Sequence, residues 1–303
     1  MPVDSELATL LEELNGPPLS EIPLELLREG SALPIEDPAA IADVVNRTLS
    51  TPVGDIPVRI YYPAPKHGLP VLVYFHGGGF VLGNLESHDS LLRNVALGAD
   101  CIVVSVDYRL APEHPFPAAP EDALAAVKWI QAHATEIGGD PGRIIVGGDS
   151  AGGNLATGVA LRLRDEGDTG LRGQLLIYPV TQLRPPLEGS MARNGEGYFL
   201  RTADMTWFED MYLGDSDGNH PHASPLLMED LGGLPPAFVM TAGFDPLLDQ
   251  GRTYALRLMD AGNDCVYSHY AGAIHGFFGI PAEISRRAVA EACGWLTSAF
   301  ERK

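Results

Sequence analysis

The chain has 303 residues, 45% of them hydrophobic, with 40 acidic against 20 basic side chains and a formal net charge of −20. This length and apolar content suit one large α/β core, and the acid excess opposes nucleic acid, anionic membrane and polyanionic substrates. No apolar run is long enough to cross a bilayer and no basic, apolar leader opens the chain, so a cytoplasmic protein with no membrane partner is expected.

At the N-terminus Leu7, Leu10, Leu11 and Leu14 recur at helical spacing, and Gly16-Pro17-Pro18 stops the run. A second short helical pattern covers 24–27. Strand patterns follow near 46–50 and at 58–62 and 71–75. The last of these leads straight into His76-Gly77-Gly78-Gly79-Phe80. Three glycines after a strand let main-chain N–H groups turn into a concave space. His76 precedes the other candidates in the chain and reads as a brace for this loop.

Farther on, a helix is predicted at 87–97, a strand at 101–107 and a helix at 120–134. A strand at 144–148 then runs into Gly148-Asp149-Ser150-Ala151-Gly152-Gly153, and a helix at 151–164 follows. A serine in this pattern, on a strand-to-helix bend, has its hydroxyl pushed out at the sheet's carboxyl edge. The free N–H groups of the next helix lie ready for developing negative charge. Alone, the pattern also fits an ordinary turn.

After a strand at 175–178, no strand signal appears between Leu183 and Leu226. That stretch holds Phe199, Met205, Trp207, Phe208, Met211 and Tyr212, with helical spacing from 205 to 212. An interruption of this length reads as a lid or binding insertion. Strand 238–242 ends at Gly243-Phe244-Asp245-Pro246-Leu247, placing Asp245 at a strand's carboxyl end, where α/β sheets put their sites. Asp249, in the predicted helix 246–261, is its rival. Strand 266–270 contains His269. The loop Ala273-Ile274-His275-Gly276-Phe277-Phe278 precedes the last helix, 282–300, and places His275 over the sheet edge. Chain order Ser150, Asp245, His275 matches a nucleophile–acid–histidine triad. Alternating strands and helices predict a mostly parallel sheet covered on both faces, with an antiparallel opening.

Cys101, Cys265 and Cys293 are few and odd in number and are expected as free thiols, mostly buried. His220 and His222 lack further ligands nearby. No dinucleotide or phosphate motif is present, so neither metal nor cofactor is expected.

Taken together, His76 to Phe80, Gly148 to Gly153, Asp245-Pro246-Leu247 and His275-Gly276-Phe277 resemble the bacterial hormone-sensitive-lipase family of carboxylesterases, esterase family IV. The run Tyr108-Arg109-Leu110-Ala111-Pro112-Glu113-His114-Pro115-Phe116-Pro117-Ala118 and Ala223-Ser224-Pro225-Leu226 add to the likeness, which extends from about Val58 to the C-terminus. One departure is Asp249-Gln250-Gly251, where the family usually has Asp-Glu-Gly; it bears on packing, not on the triad. The resemblance implies an α/β-hydrolase fold with a mostly parallel sheet, helices on both faces and a helical cap. The core would comprise 46–184 and 223–303, with an N-terminal cap segment at 1–45 and a cap insertion at 185–222.

The resemblance implies hydrolysis of short- to medium-chain apolar esters by Ser150, Asp245 and His275. Oxyanion donors would come from Gly78, Gly79 and Ala151, and Phe80, Phe199, Trp207 and Phe277 would line the substrate pocket. A homodimer is compatible with it, though no interface is legible. The same triad could serve an amidase or small-molecule deacetylase. A relative that binds a ligand without hydrolysis would have lost a triad member, and none is missing here. A trypsin-like protease is excluded by its triad order and its disulfide-rich all-β build.

Overall fold

Apolar runs that alternate between two hydrophobic layers, with no polar face left over, need helices on both sides. Val71, Val73 and Phe75 enter one layer while Leu72 and Tyr74 enter the other, and all are buried. The computed structural model describes residues 2–14, 16–31 and 38–302. Its sheet contains β1 (Asp43–Thr51), β2 (Gly54–Tyr62), β3 (Leu69–Phe75), β4 (Ile102–Val106), β5 (Gly139–Asp149), β6 (Leu171–Ile177), β7 (Ala237–Phe244) and β8 (Cys265–Ile274). The spatial order is β1-β2-β4-β3-β5-β6-β7-β8. β1 pairs antiparallel with β2, and β2 with β4; every later pairing is parallel.

The helices are α1 (Ser5–Leu14), α2 (Leu24–Ser31), α3 (Asp89–Ala99), α4 (Ala118–His133), α5 (Ala151–Asp165), α6 (Gly189–Arg193), α7 (Thr202–Leu213), α8 (Leu248–Asp260) and α9 (Glu283–Glu301). Apolar faces of α4, α5 and α8 close one side of the sheet, through Val127, Leu155, Val159 and Leu258. The other side is closed by α3 and α9, through Val95, Ala288 and Leu296, and α1 adds Leu7 and Leu11 there. The Leu14 side chain and the 32–37 part of the expected N-terminal cap segment lie outside the described residues.

Most strands run a few residues beyond the expected limits, and two of the extensions carry register shifts. β5 starts at Gly139, because Gly139 pairs with Leu69 across a register shift ahead of the apolar run. β8 extends to Ile274, which pairs with Phe244 beyond another shift. β7 and β8 therefore end side by side, immediately before Asp245 and His275.

Candidate active site

Ser150 occupies the single residue between β5 and α5, at φ 54° and ψ −118°. A non-glycine residue there carries strain of about 1–3 kcal/mol, which its surroundings must offset. The Ser150 N–H donates to the Ile177 carbonyl at 2.9 Å, and its own carbonyl accepts from Val180 at 3.0 Å and Asn154 at 3.2 Å. Gly148 and Gly152, two residues to either side, allow the bend. A β-carbon at 148 would fall 2.4 Å from the Gly152 main chain.

The three separated side chains meet. His275 Nε2 lies 3.0 Å from Ser150 Oγ, and His275 Nδ1 lies 2.8 Å from Asp245 Oδ2. Donation from Nδ1 to the carboxylate leaves Nε2 as the acceptor facing the hydroxyl. The other Asp245 oxygen accepts the Leu247 N–H at 2.8 Å, which fixes the carboxylate's plane. Asn194 steadies this turn by donating to the Gly243 and Asp245 carbonyls at 3.1 and 3.0 Å. Asp245 is fully buried, and Ser150 and His275 nearly so.

The alternatives lie elsewhere. Asp249 Oδ2 accepts the Ser190 N–H at 2.7 Å and so caps α6. His269 faces outward and contacts Thr241 Oγ1 at 3.1 Å. Gln250, the family departure, is buried, and its Oε1 accepts the N–H groups of Thr181 at 2.6 Å and Gln182 at 2.8 Å. It thus packs the chain leaving β6, and it bonds no member of the Ser150–His275–Asp245 chain.

The glycine loop sits above Ser150. Gly78 and Gly79 have φ of 117° and 61°, and their N–H groups find no acceptor among the described residues. The Ala151 N–H opens α5, where no preceding turn offers it a partner. His76 is buried beneath the loop, stacked on Tyr108 at 4.4 Å, with Nδ1–H donating to the Gly77 carbonyl at 2.8 Å. Burial, reinforced by neighbouring His88, pushes its imidazole down to about 4, so it braces the loop as a neutral ring. Tyr108 OH donates to the His76 carbonyl at 2.7 Å, and Arg109 and Asp122 pair at 2.6 Å behind it. These contacts give the 108–118 motif a physical role.

Sequence reasoning missed Asp149 and His88. Asp149 Oδ1 accepts from Tyr74 OH at 2.9 Å, Gly77 N–H at 3.0 Å and His88 Nε2 at 3.0 Å. Burial alone would raise its carboxyl; the His88 imidazole and the bonds from His88 and Tyr74 hold it below the usual range. One carboxylate therefore joins the serine bend to the glycine loop. Asp149 stood inside the quoted motif, whereas His88 lay in a predicted helix start with no pattern marking it.

Above Ser150 and His275 opens a cavity of about 450 Å³. Its walls include Tyr178, Val180, Leu183, Phe199, Met205 and Phe208. The Phe208 ring covers Gly79 so closely that a β-carbon there would lie 2.4 Å from it. Phe80 and Phe199 line the cavity, Phe80 while stacking on Tyr212 at 3.8 Å. Two expectations need correction. Phe277 does not line it: Gly276, at φ 79°, turns the chain, and the fully buried ring packs against Tyr178 and Tyr270 in the core. Trp207 does not line it either; its ring packs beside Phe208 at 5.2 Å while the neighbouring Phe208 faces the cavity.

The N-terminal segment reaches the same cavity through Pro17, Leu19 and Ser31. Arg28 anchors it with a paired contact to both Glu113 oxygens at 2.8 Å, and with donations to the Val81 and Ala111 carbonyls. All three cysteines are free; Cys101 and Cys293 are buried and Cys265 is half-buried. No helix among the described residues is long and apolar enough to cross a membrane.

A family described as alpha/beta hydrolase fold matches residues 72–279. The carboxylic ester hydrolase LipN of Mycobacterium tuberculosis is 45% identical over 250 residues, which span 80% of this chain and 66% of that protein. The carboxylesterase NlhH of the same organism is 44% identical over 82% of this chain and 78% of its own length. The ester hydrolase EH1AB1 from the metagenome of Lake Arreo, solved with a derivative of bipyridine phosphonate, is 42% identical with a TM-score of 0.94, covering 99% of this chain and all of that one. With these likenesses added to the sheet order and the Ser150–His275–Asp245 chain, the protein belongs to the α/β-hydrolase-fold family, among its hormone-sensitive-lipase-like carboxylesterases.

Proposed function

We propose that this protein is a serine carboxylesterase acting on short- to medium-chain esters through an acyl-enzyme. The observation that carries the reading is the continuous hydrogen-bonded chain from Ser150 Oγ through His275 to Asp245 at the floor of an apolar cavity. Ser150 attacks the ester carbonyl as His275 Nε2 takes its proton. The carbonyl π bond opens onto the oxygen, and the N–H groups of Gly78, Gly79 and Ala151 stabilise that oxyanion. On collapse, the C–O bond to the alcohol breaks and His275 returns the proton to the leaving oxygen. Water then attacks the acyl-serine with His275 again as base, releasing the acid. Asp245 holds the imidazole's orientation and offsets its positive charge.

Residues 1–45 and 185–222 serve as a cap in this reading, which is supported by Pro17, Leu19, Phe199, Met205 and Phe208 lining the cavity. The apolar walls favour alkyl acyl groups, and the cavity's volume favours small esters over long-chain fats. A small ester is then the partner, and a cytoplasmic location accords with the acidic surface and the free thiols. Turnover of p-nitrophenyl esters from acetate to palmitate tests the reading. Rates should peak at short or medium acyl chains. Failure to cleave any of them, or a rate that keeps rising to palmitate, would contradict it.

A further inference from the structure

The cavity is not apolar throughout. α7 turns Asp204, Met205, Phe208 and Glu209 toward it. Asp204 is committed to the fold, because its Oδ1 accepts the Leu19 N–H at 2.9 Å. Glu209 is less committed. It is only 6% exposed, and its Oε1 has no hydrogen-bond partner among the described residues. The Arg184 main-chain N–H and the Arg184 charge both act on the carboxyl against the effect of burial, while the guanidinium itself pairs with Asp210 at 3.2 Å in a solvent-exposed contact. Arg201, the one arginine or lysine lining the cavity among the described residues, donates to the Gly16 carbonyl at 2.5 Å. Burial pushes the Glu209 carboxyl up to about 7. A buried carboxyl oxygen without a partner costs free energy in the empty protein, and groups of this kind concentrate at binding sites.

We propose that Glu209 is a substrate-recognition residue whose carboxyl receives a hydrogen-bond donor, a hydroxyl or an ammonium, carried on the ester away from its reacting carbonyl. The site then takes hydroxyl- or amino-tipped esters in preference to purely alkyl ones of equal length. This deepens the carboxylesterase reading and rests on it. A donor that meets the Glu209 carboxyl satisfies a buried acceptor that an alkyl chain would leave short of a partner, so discrimination of about tenfold or more is expected.

The test compares kcat/KM for p-nitrophenyl 6-hydroxyhexanoate, 6-aminohexanoate and heptanoate. A parallel set carries the same tips on the alcohol side of a butyrate ester. The proteins are wild type, Glu209→Gln and Glu209→Leu. Wild type should prefer the donor-tipped esters by tenfold or more in one of the two sets. Glu209→Gln should keep the hydroxyl preference and lose the ammonium preference; Glu209→Leu should lose both. A Glu209 that only supported the fold would lower all rates together and leave these ratios unchanged. If Glu209→Leu fails to fold, the ammonium ratio in Glu209→Gln decides. Equal use of alkyl and donor-tipped esters by wild type, or ratios unmoved by substitution, overturns the proposal while leaving the esterase reading standing. A wild-type protein that cleaves none of the esters overturns both.

Discussion

Gly152 packs against Phe75 so tightly that a β-carbon on residue 152 would lie 1.8 Å from the Phe75 carbonyl oxygen. Phe75 ends the strand before the glycine loop, and Gly152 lies in the first turn of the helix behind Ser150. The two halves of the oxyanion cradle are therefore held in register by a missing side chain. Gly152→Ala must push main chain against main chain, since the obstacle is no flexible side chain. We expect a loss of about 1–3 kcal/mol in stability from overpacking, and a fall in kcat/KM of about 100-fold from misplaced donors. Thermal melting and ester turnover measured on one preparation check both.

Asp245→Asn should keep the fold and lose the orientation of His275. The amide can present an N–H where the imidazole Nδ1–H needs an acceptor, favouring the wrong tautomer. Serine-triad enzymes lose about 10⁴-fold in kcat by this change. A loss below tenfold would show that Asp245 does not orient the base.

Asp149→Ala removes the acceptor shared by Tyr74, Gly77 and His88. The Tyr74 hydroxyl is left buried and unpaired, at about 1–3 kcal/mol, and the Gly77 N–H keeps only a long contact to His88 Nε2 at 3.4 Å. Loosening of the glycine loop should lower kcat more than it raises KM. Steady-state kinetics would show the reverse if Asp149 served only to shape the cavity.

Acid should loosen the N-terminal segment before the core. The hydrogen bonds and charge of Arg28 depress the Glu113 carboxyl from 4.5 to about 2. For a depressed acid, the stabilisation is present above the unfolded value and is lost as pH falls through the folded one. The window is therefore pH 4.5 down to 2. Glu113 is largely exposed, so solvent screening keeps the global effect small and the readout is local. Proteolysis within 24–31 should rise on acidification, and Arg28→Met should give the same sensitivity at pH 7 with a raised KM. Equal protection of this segment in both proteins would contradict the anchoring role.

Glu209 should carry the opposite pH signature. Burial raises it from 4.5 to about 7, so its contribution is fully present below 4.5 and is lost as pH rises through 7. Glu209→Gln should therefore gain stability relative to wild type between pH 4.5 and pH 8, by up to about 3 kcal/mol. Urea unfolding at the two pH values measures it, and a gap that does not change with pH would refute the assignment.

Much of this architecture was readable from the residues because burial on both faces leaves an unambiguous apolar run, as in Val71 to Phe75. Ser150 and Asp245 were legible as candidates because each closely follows such a run, whereas His275 was legible only from its loop and its place after them in the chain, since β8 is largely half-exposed. Other features depend on how the chain turns in three dimensions. Phe277 stands two residues from His275 yet enters the core, because Gly276 reverses direction between them. Trp207 and Phe208 are neighbours on one helix, and only the second faces the cavity. His88 meets Asp149 from a separate helix start, so no local pattern could announce the contact.

The most direct test is covalent trapping with a fluorophosphonate, read by intact mass and peptide mapping. One adduct is predicted, on residue 150, with ester turnover lost in proportion to labelling; Ser150→Ala should take up no label and lose several orders of magnitude in kcat. Labelling at a different side chain, or near-normal turnover by Ser150→Ala, would contradict the account.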